Sequence, residues 1–97
     1  MTDIELKLDE VIHQPVRTKI MAYLINTKEC DYTTLKNALG LSDGHMSTHM
    51  KRLLMSEYVS VEKKFEKNKP KTTYIITAKG KNGFKKYIET LKIIINQ

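Results

Sequence analysis

Apolar residues along this chain recur at helical spacing in several stretches and alternate in one. In PVRTKIMAYLINTK, Val16, Ile20, Tyr23 and Leu24 share one face, and Pro15 suits a first helical position, where its missing N–H leaves no bond unmade. A helix is predicted there. Upstream, Ile4, Leu8, Val11 and Ile12 repeat at three or four residues, so IELKLDEVI is either a shorter helix or a docked arm, broken near Pro15. CDYTTLKNALG predicts a short helix capped by Asp31 or Thr33. Leu35, Ala38 and Leu39 face inward, and Gly40 takes the left-handed turn that ends it.

Only Gly40 and Leu41 separate that helix from Ser42, whose hydroxyl can accept from the amide of His45 and cap the next helix. Two helices joined so tightly cross steeply, which predicts a helix-turn-helix over about residues 31–56. With Met46 at the centre of the buried face, Met50, Leu53 and Leu54 fall within about 80° of it at 100° per residue. Gly44, His45, Ser47, Thr48, Lys51 and Arg52 project the other way, polar and small at one end and cationic at the other, while His49 sits at the border.

EYVSVEKKFEKNKPKTTYIIT predicts a hairpin over about residues 59–76. Val59, Val61 and Lys63 alternate with Ser60 and Glu62, and residues 72–76 are rich in β-branched side chains. Pro70 cannot donate to a ladder, so pairing is expected to fail near it and the tip to project. Lys63, Lys64, Lys67, Lys69 and Lys71 outnumber Glu62 and Glu66, making the tip either a solvated loop or a basic finger. A last helix of about eighteen residues, over about 78–96, follows a cap at Thr77. Phe84, Ile88, Leu91 and Ile95 form its seam, widened by Tyr87 and Ile94. That face either folds onto its own domain or, with Ile4, Leu8 and Val11, forms a dimer surface.

With 97 residues, 40 % of them hydrophobic and 29 % charged, the chain reads as one small globular domain. Its net charge of +6 is uneven: residues 1–50 carry five Lys and Arg against seven Asp and Glu, residues 51–97 twelve against four. The basic half points to a polyanion or an anionic surface. No apolar run approaches the ~20 residues of a membrane span, and acidic residues stand where a signal peptide needs basic and apolar ones, so a cytoplasmic location is expected. Cys30, between acids in KECDY, reads as a structural thiol, with a redox switch as the alternative.

A major groove about 12 Å wide admits a helix like the one after Ser42, with its N-terminal residues at base edges and its cations near phosphates. His45 and His49, at i and i+4, have a competing reading as metal ligands with Asp43 or His13. However, Met46 stands where a zinc protease needs Glu, and no metal or other cofactor is expected. No phosphate-binding glycine loop or nucleophile-and-base pattern suggests an enzyme. GKNG, residues 80–83, could be the backbone clamp of a KH-type RNA-binding domain if it joined two helices.

The run from LDEVIHQPVRTKIMAYL to YIITAKGK resembles the small MarR/ArsR-like winged helix-turn-helix transcriptional regulators of bacteria and archaea. The likeness is most specific in GLSDGHMSTHMKRL, EYV and YIITAKGK. It implies an α+β, mainly α, fold with a β-hairpin wing and a long C-terminal helix. It also implies a homodimeric repressor or activator that binds double-stranded DNA sequence-specifically through Ser42, Gly44, His45, Ser47, Thr48, Lys51 and Arg52, with Lys67, Lys69 and Lys71 in the wing. The alternatives are a winged helix that binds protein and an RNA-binding protein. Two features depart from the pattern. Glu57-Tyr58 replaces a Gly-containing turn, so a looser turn is expected, and the paired cysteines of the metal-sensing members are missing.

Overall fold

The structure, a computed structural model, describes residues 6–97; Ile4 lies outside them. Of the two forms expected upstream of Pro15, the docked arm is the one present. Residues 6–14 hold no helix, only a turn organised by Asp9, whose Oδ1 accepts from the amides of Val11 (2.8 Å) and Ile12 (3.2 Å). That turn drives Ile12 wholly into the core and rests Leu8 and Val11 against it. Helix α1, Pro15–Thr27, then starts at a Gln14 cap, whose side chain accepts from the Arg17 amide at 2.9 Å, and it buries Ile20, Met21 and Leu24.

Lys28, at φ 70°, turns the chain into a three-residue strand, β1 (Glu29–Asp31), which the sequence pattern did not announce. Asp31 caps α2 (Tyr32–Leu39) by accepting from the Thr34 amide, and Gly40 ends it at φ 63°. Only Leu35 of α2 is fully buried. Ala38, expected inside, is exposed, because eight residues present a narrow face to α1. The Ser42 hydroxyl accepts from the His45 amide at 3.1 Å and starts α3 (Asp43–Met55), which buries Met46, Met50 and Leu53.

The turn out of α3 is as tight as a glycine would make it. Glu57 itself adopts φ 62°, and the amides of Glu57 and Tyr58 return to the carbonyls of Leu54 (3.0 Å) and Leu53 (3.1 Å). The expected looseness is therefore absent; a charged residue holds the left-handed position. Strands β2 (Val59–Glu66) and β3 (Lys69–Ile76) pair antiparallel along their whole length, and β1 adds to the other side of β3 in the order β1-β3-β2.

Pairing does not fail at Pro70, which stands opposite Phe65, and the register explains why. Lys67 and Asn68, at φ 52° and 61°, form a two-residue turn of the type that matches strand twist. Closing on Glu66 and Lys69, it aims the odd-numbered amides of β3 at β2 and the even-numbered ones at β1; the Ile76 amide donates to Lys28 O at 3.0 Å. Pro70 is even-numbered and lies beyond the end of β1, so its missing N–H breaks no ladder bond.

Helix α4, Ala78–Ile95, is capped by Thr77, whose Oγ1 accepts from the Gly80 amide at 2.9 Å and donates to Glu57 O at 2.6 Å. Gly80 meets the turn before β2, where a Cβ would stand 2.1 Å from the Tyr58 carbonyl oxygen. Gly80 to Gly83 therefore occupy the first turns of a helix preceded by a strand, which removes the loop that the RNA-clamp reading needs. The architecture is the expected one: among the described residues, four helices and a three-stranded antiparallel sheet surround one core, with the hairpin as a wing. The radius of gyration, 15.1 Å against about 13 Å for a compact domain of this size, reflects the projecting wing and the end of α4.

Candidate DNA-binding surface

Every residue assigned to the outward face of α3 is exposed: Gly44, His45, Ser47, Thr48, Lys51 and Arg52. The helix is held at its first turn from α2. Asp43 Oδ1 accepts from the Tyr32 hydroxyl at 2.6 Å and lies 2.8 Å from Lys36 Nζ, and these partners, Lys36 first, hold the Asp43 carboxyl below its ordinary range. Ser42 uses its oxygen as the cap acceptor, which leaves its O–H free to donate outward. Gly44 has open space around it: a Cβ there would meet nothing nearer than Ser42 Oγ at 3.9 Å. Internal contacts do not require the absence of a side chain at that position.

The two histidines have different surroundings. His45 is exposed, while His49, half buried, places Nδ1 3.1 Å from Arg17 Nη1. Guanidinium only donates, so His49 accepts at Nδ1 and carries its proton on Nε2. Burial, then the charges of Arg17 and His45, hold His49 below the ordinary imidazole value, which keeps it neutral near pH 7. Arg17 also donates from Nε to the Val11 carbonyl and from Nη2 to Glu10 O (3.4 Å), so one side chain ties the arm to α3. The ligands considered for a metal have other partners, Asp43 with Tyr32 and Lys36, His13 with the Tyr87 hydroxyl at 2.9 Å. Among the described residues no group of three or more His, Cys, Asp or Glu is gathered to hold an ion.

The wing carries Lys67, Lys69 and Lys71 exposed, Lys67 in the turn and the other two on one face of β3. Val59, Val61, Lys63 and Phe65 pair with Ile76, Tyr74, Thr72 and Pro70 on the face that continues the core, the side on which α3 packs. Lys64, Lys69 and Lys71 stand on the opposite face, where Lys71 pairs with Glu66 at 3.0 Å and Lys64 with Glu62 at 3.2 Å. Among the described residues Lys63, Lys67 and Lys69 have no carboxylate within ion-pair reach. Phe65, which the sequence reading passed over, is 81 % exposed.

The model of the winged helix DNA-binding domain family matches residues 16–95, which include α1 apart from Pro15, all of α2 to α4, and the wing. The chain belongs to that family.

Protein MJ0432 of Methanocaldococcus jannaschii is 37 % identical over 79 residues, 81 % of this chain and 86 % of the relative. The solved structure of a transcriptional regulator homologue from Pyrococcus horikoshii superposes with a TM-score of 0.86 at 25 % identity, covering 91 % of this chain and 87 % of that one. A MarR-family regulator from Porphyromonas gingivalis, 23 % identical with 97 % of both chains covered and a TM-score of 0.59, shares the fold. Family and fold are those of DNA-binding proteins rather than enzymes.

Two further features lie apart from this surface. The apolar end of α4 is uncovered, with Ile94 and Ile95 exposed, Ile95 at 74 %, and Ile93 beside them. Tyr87, assigned to the same surface, is only 5 % exposed and belongs to its own domain's core; Leu8, Val11, Ile88 and Leu91 are half-buried against that core. Cys30 is half-buried, and burial together with Asp31 pushes its thiol up, keeping it protonated. No helix among the described residues is long and apolar enough to cross a membrane.

Proposed function

We propose that the chain is a transcriptional regulator, a repressor acting as a homodimer, that recognises a specific sequence in double-stranded DNA. The observation that carries the reading is Gly44. A glycine inside a helix destabilises it by roughly 0.5–1 kcal/mol relative to alanine, yet no neighbour here excludes a Cβ. Its use is external, since it lets the first turn of α3 approach a partner backbone. The partner is polyanionic, because Lys51 and Arg52 stand on the same exposed face and the helix N-terminus adds partial positive charge.

In this reading Ser42, Gly44, His45, Ser47 and Thr48 meet the bases and nearest phosphates of the major groove. Lys51, Arg52, Lys67, Lys69 and Lys71 lie along the backbone. The uncovered Ile94 and Ile95, with the accessible parts of Ile88 and Leu91, pair two copies so that their α3 helices reach successive major grooves, about 34 Å apart. Occupying a promoter in that way blocks transcription. The transcriptional regulator homologue of Pyrococcus horikoshii, whose whole length this chain nearly spans, supports the assignment.

Selection from random duplexes, followed by a salt titration, tests it. A dimer neutralising roughly 6 to 10 phosphates loses about 10³ to 10⁵ in affinity between 50 and 200 mM salt. Enrichment of one sequence with that steep slope is expected; no enrichment and a flat slope reject the reading.

A further inference from the structure

We propose that Phe65 is a wedge: at the tip of the wing it enters the minor groove and parts one base step. This rests on the DNA-binding reading above and adds to it a residue that deforms the duplex.

Exposure climbs along one face of β2, from Val59 at 2 % through Val61 at 40 % to Phe65 at 81 %. Six residues of extended strand place Phe65 about 20 Å beyond Val59. The core is already closed at that distance, and among the described residues none covers the ring. Its position is nevertheless fixed. The Lys67-Asn68 turn locks the register, and Pro70, with its restricted φ, stands directly opposite as a non-hydrogen-bonded neighbour. The result is an apolar point on a stiff two-stranded ribbon.

The point's surroundings choose its partner. Lys63 shares its face, Lys67 forms the turn, and Lys69 lies one residue beyond that, all three without an ion pair among the described residues. An apolar protein surface or a second copy of this basic tip would have to accept those charges without compensation, whereas the phosphates that border a minor groove supply it on both sides. Phe65 also lies in phase with Val59, on the face of β2 whose base packs with α3 into the core. An aromatic ring is thin enough to slide between base pairs and replace their stacking, as apolar wedges do in minor-groove binders.

The test uses the full chain and the duplex it selects from random sequence, with 2-aminopurine placed in turn at each step flanking the major-groove contacts. Wild type is expected to raise the emission of one probe position in each half-site, at a step flanking the α3 contacts, and to bend the duplex. Phe65→Ala should lose both and bind about 10-fold more weakly. Phe65→Lys should steepen the salt slope yet still fail to unstack the probe, and Phe65→Leu should keep part of the signal. Far-UV circular dichroism checks that each variant is folded. If wild type binds the duplex with no probe brightening, or Phe65→Ala leaves emission and bend unchanged, the wedge is rejected while DNA binding stands. If Phe65→Ala instead lowers the sedimenting mass, Phe65 belongs to a protein interface and the wedge is likewise rejected. If no duplex is selected at all, the DNA-binding reading falls first.

Discussion

Arg17 Nη1 stands 3.1 Å from His49 Nδ1, joining the docked arm to the helix that carries the exposed Thr48 and Lys51. The contact requires neutral His49, so it is sensitive to pH. His49 is held below its ordinary value of 6.5, by burial first and then by Arg17 and His45. A group depressed in the folded state supports folding above its unfolded value, and that support is lost as pH falls through the folded one. Urea unfolding should therefore show stability declining as pH falls below about 6.5, and His49→Gln should flatten that segment. Asp31 and Asp43, also depressed, act only below the carboxylate value of 3.8, outside this window. An identical pH profile in the variant would separate His49 from the effect.

Gly44→Ala should move two observables in opposite directions. The fold gains about 0.5–1 kcal/mol, because the new methyl group meets open space. Affinity for the selected duplex falls by about 10-fold or more, because that methyl group stands between the helix and the DNA backbone. Thermal unfolding and gel shift on one preparation measure both. Unchanged affinity would withdraw the single observation on which the functional reading rests.

The α3–β2 turn and the start of α4 make an opposing pair. Glu57 occupies a left-handed conformation that costs an L-residue roughly 1–2 kcal/mol, so Glu57→Gly should stabilise the fold by about 1 kcal/mol, raising Tm by about 4–8 °C. Gly80→Ala forces a Cβ to within 2.1 Å of a backbone oxygen and should cost about 3 kcal/mol or prevent folding. Differential scanning calorimetry distinguishes the two. A destabilised Glu57→Gly would mean that its side chain contributes more than the strain removes.

Ile94 and Ile95 carry the proposed pairing of two copies. Replacing both by Glu should weaken the dimer about 100-fold or more, since a buried isoleucine contributes about 1.5–3 kcal/mol. The monomer core should be left intact, because both side chains are exposed. Sedimentation equilibrium reads the first effect and urea unfolding of the monomer the second. A wild type that sediments as a monomer at all concentrations rejects the pairing.

The helices were legible because their signals are local. Pro15, Gly40, Ser42 and Thr77 mark their ends through backbone geometry or hydrogen bonds within three residues, and the Met46–Met50–Leu53 stripe orients α3 without reference to the rest of the fold. The misses have identifiable causes. Strand β1 is three residues long, too short for alternation to register, and exists because β3 offers it an edge. The Lys67-Asn68 and Glu57 turns carry positive φ without glycine, so only Asn68, a residue that tolerates that conformation, hints at either of them. Arg17–His49 and Asp43–Tyr32 join residues 32 and 11 positions apart, which no periodicity connects. Phe65 could have been found, since an aromatic in a lysine-rich hairpin, in phase with Val59 and Val61, is a sequence-level pattern.

Pro70 has a consequence beyond its own register. Past Asp31 the outer side of β3 has no partner strand among the described residues, and such a border invites a neighbouring molecule to zip on and start a growing stack. A pyrrolidine ring at this point offers no amide to bond with and crowds any newcomer. A hairpin standing so far out from its domain can thus remain open to solvent without becoming a seed for self-assembly.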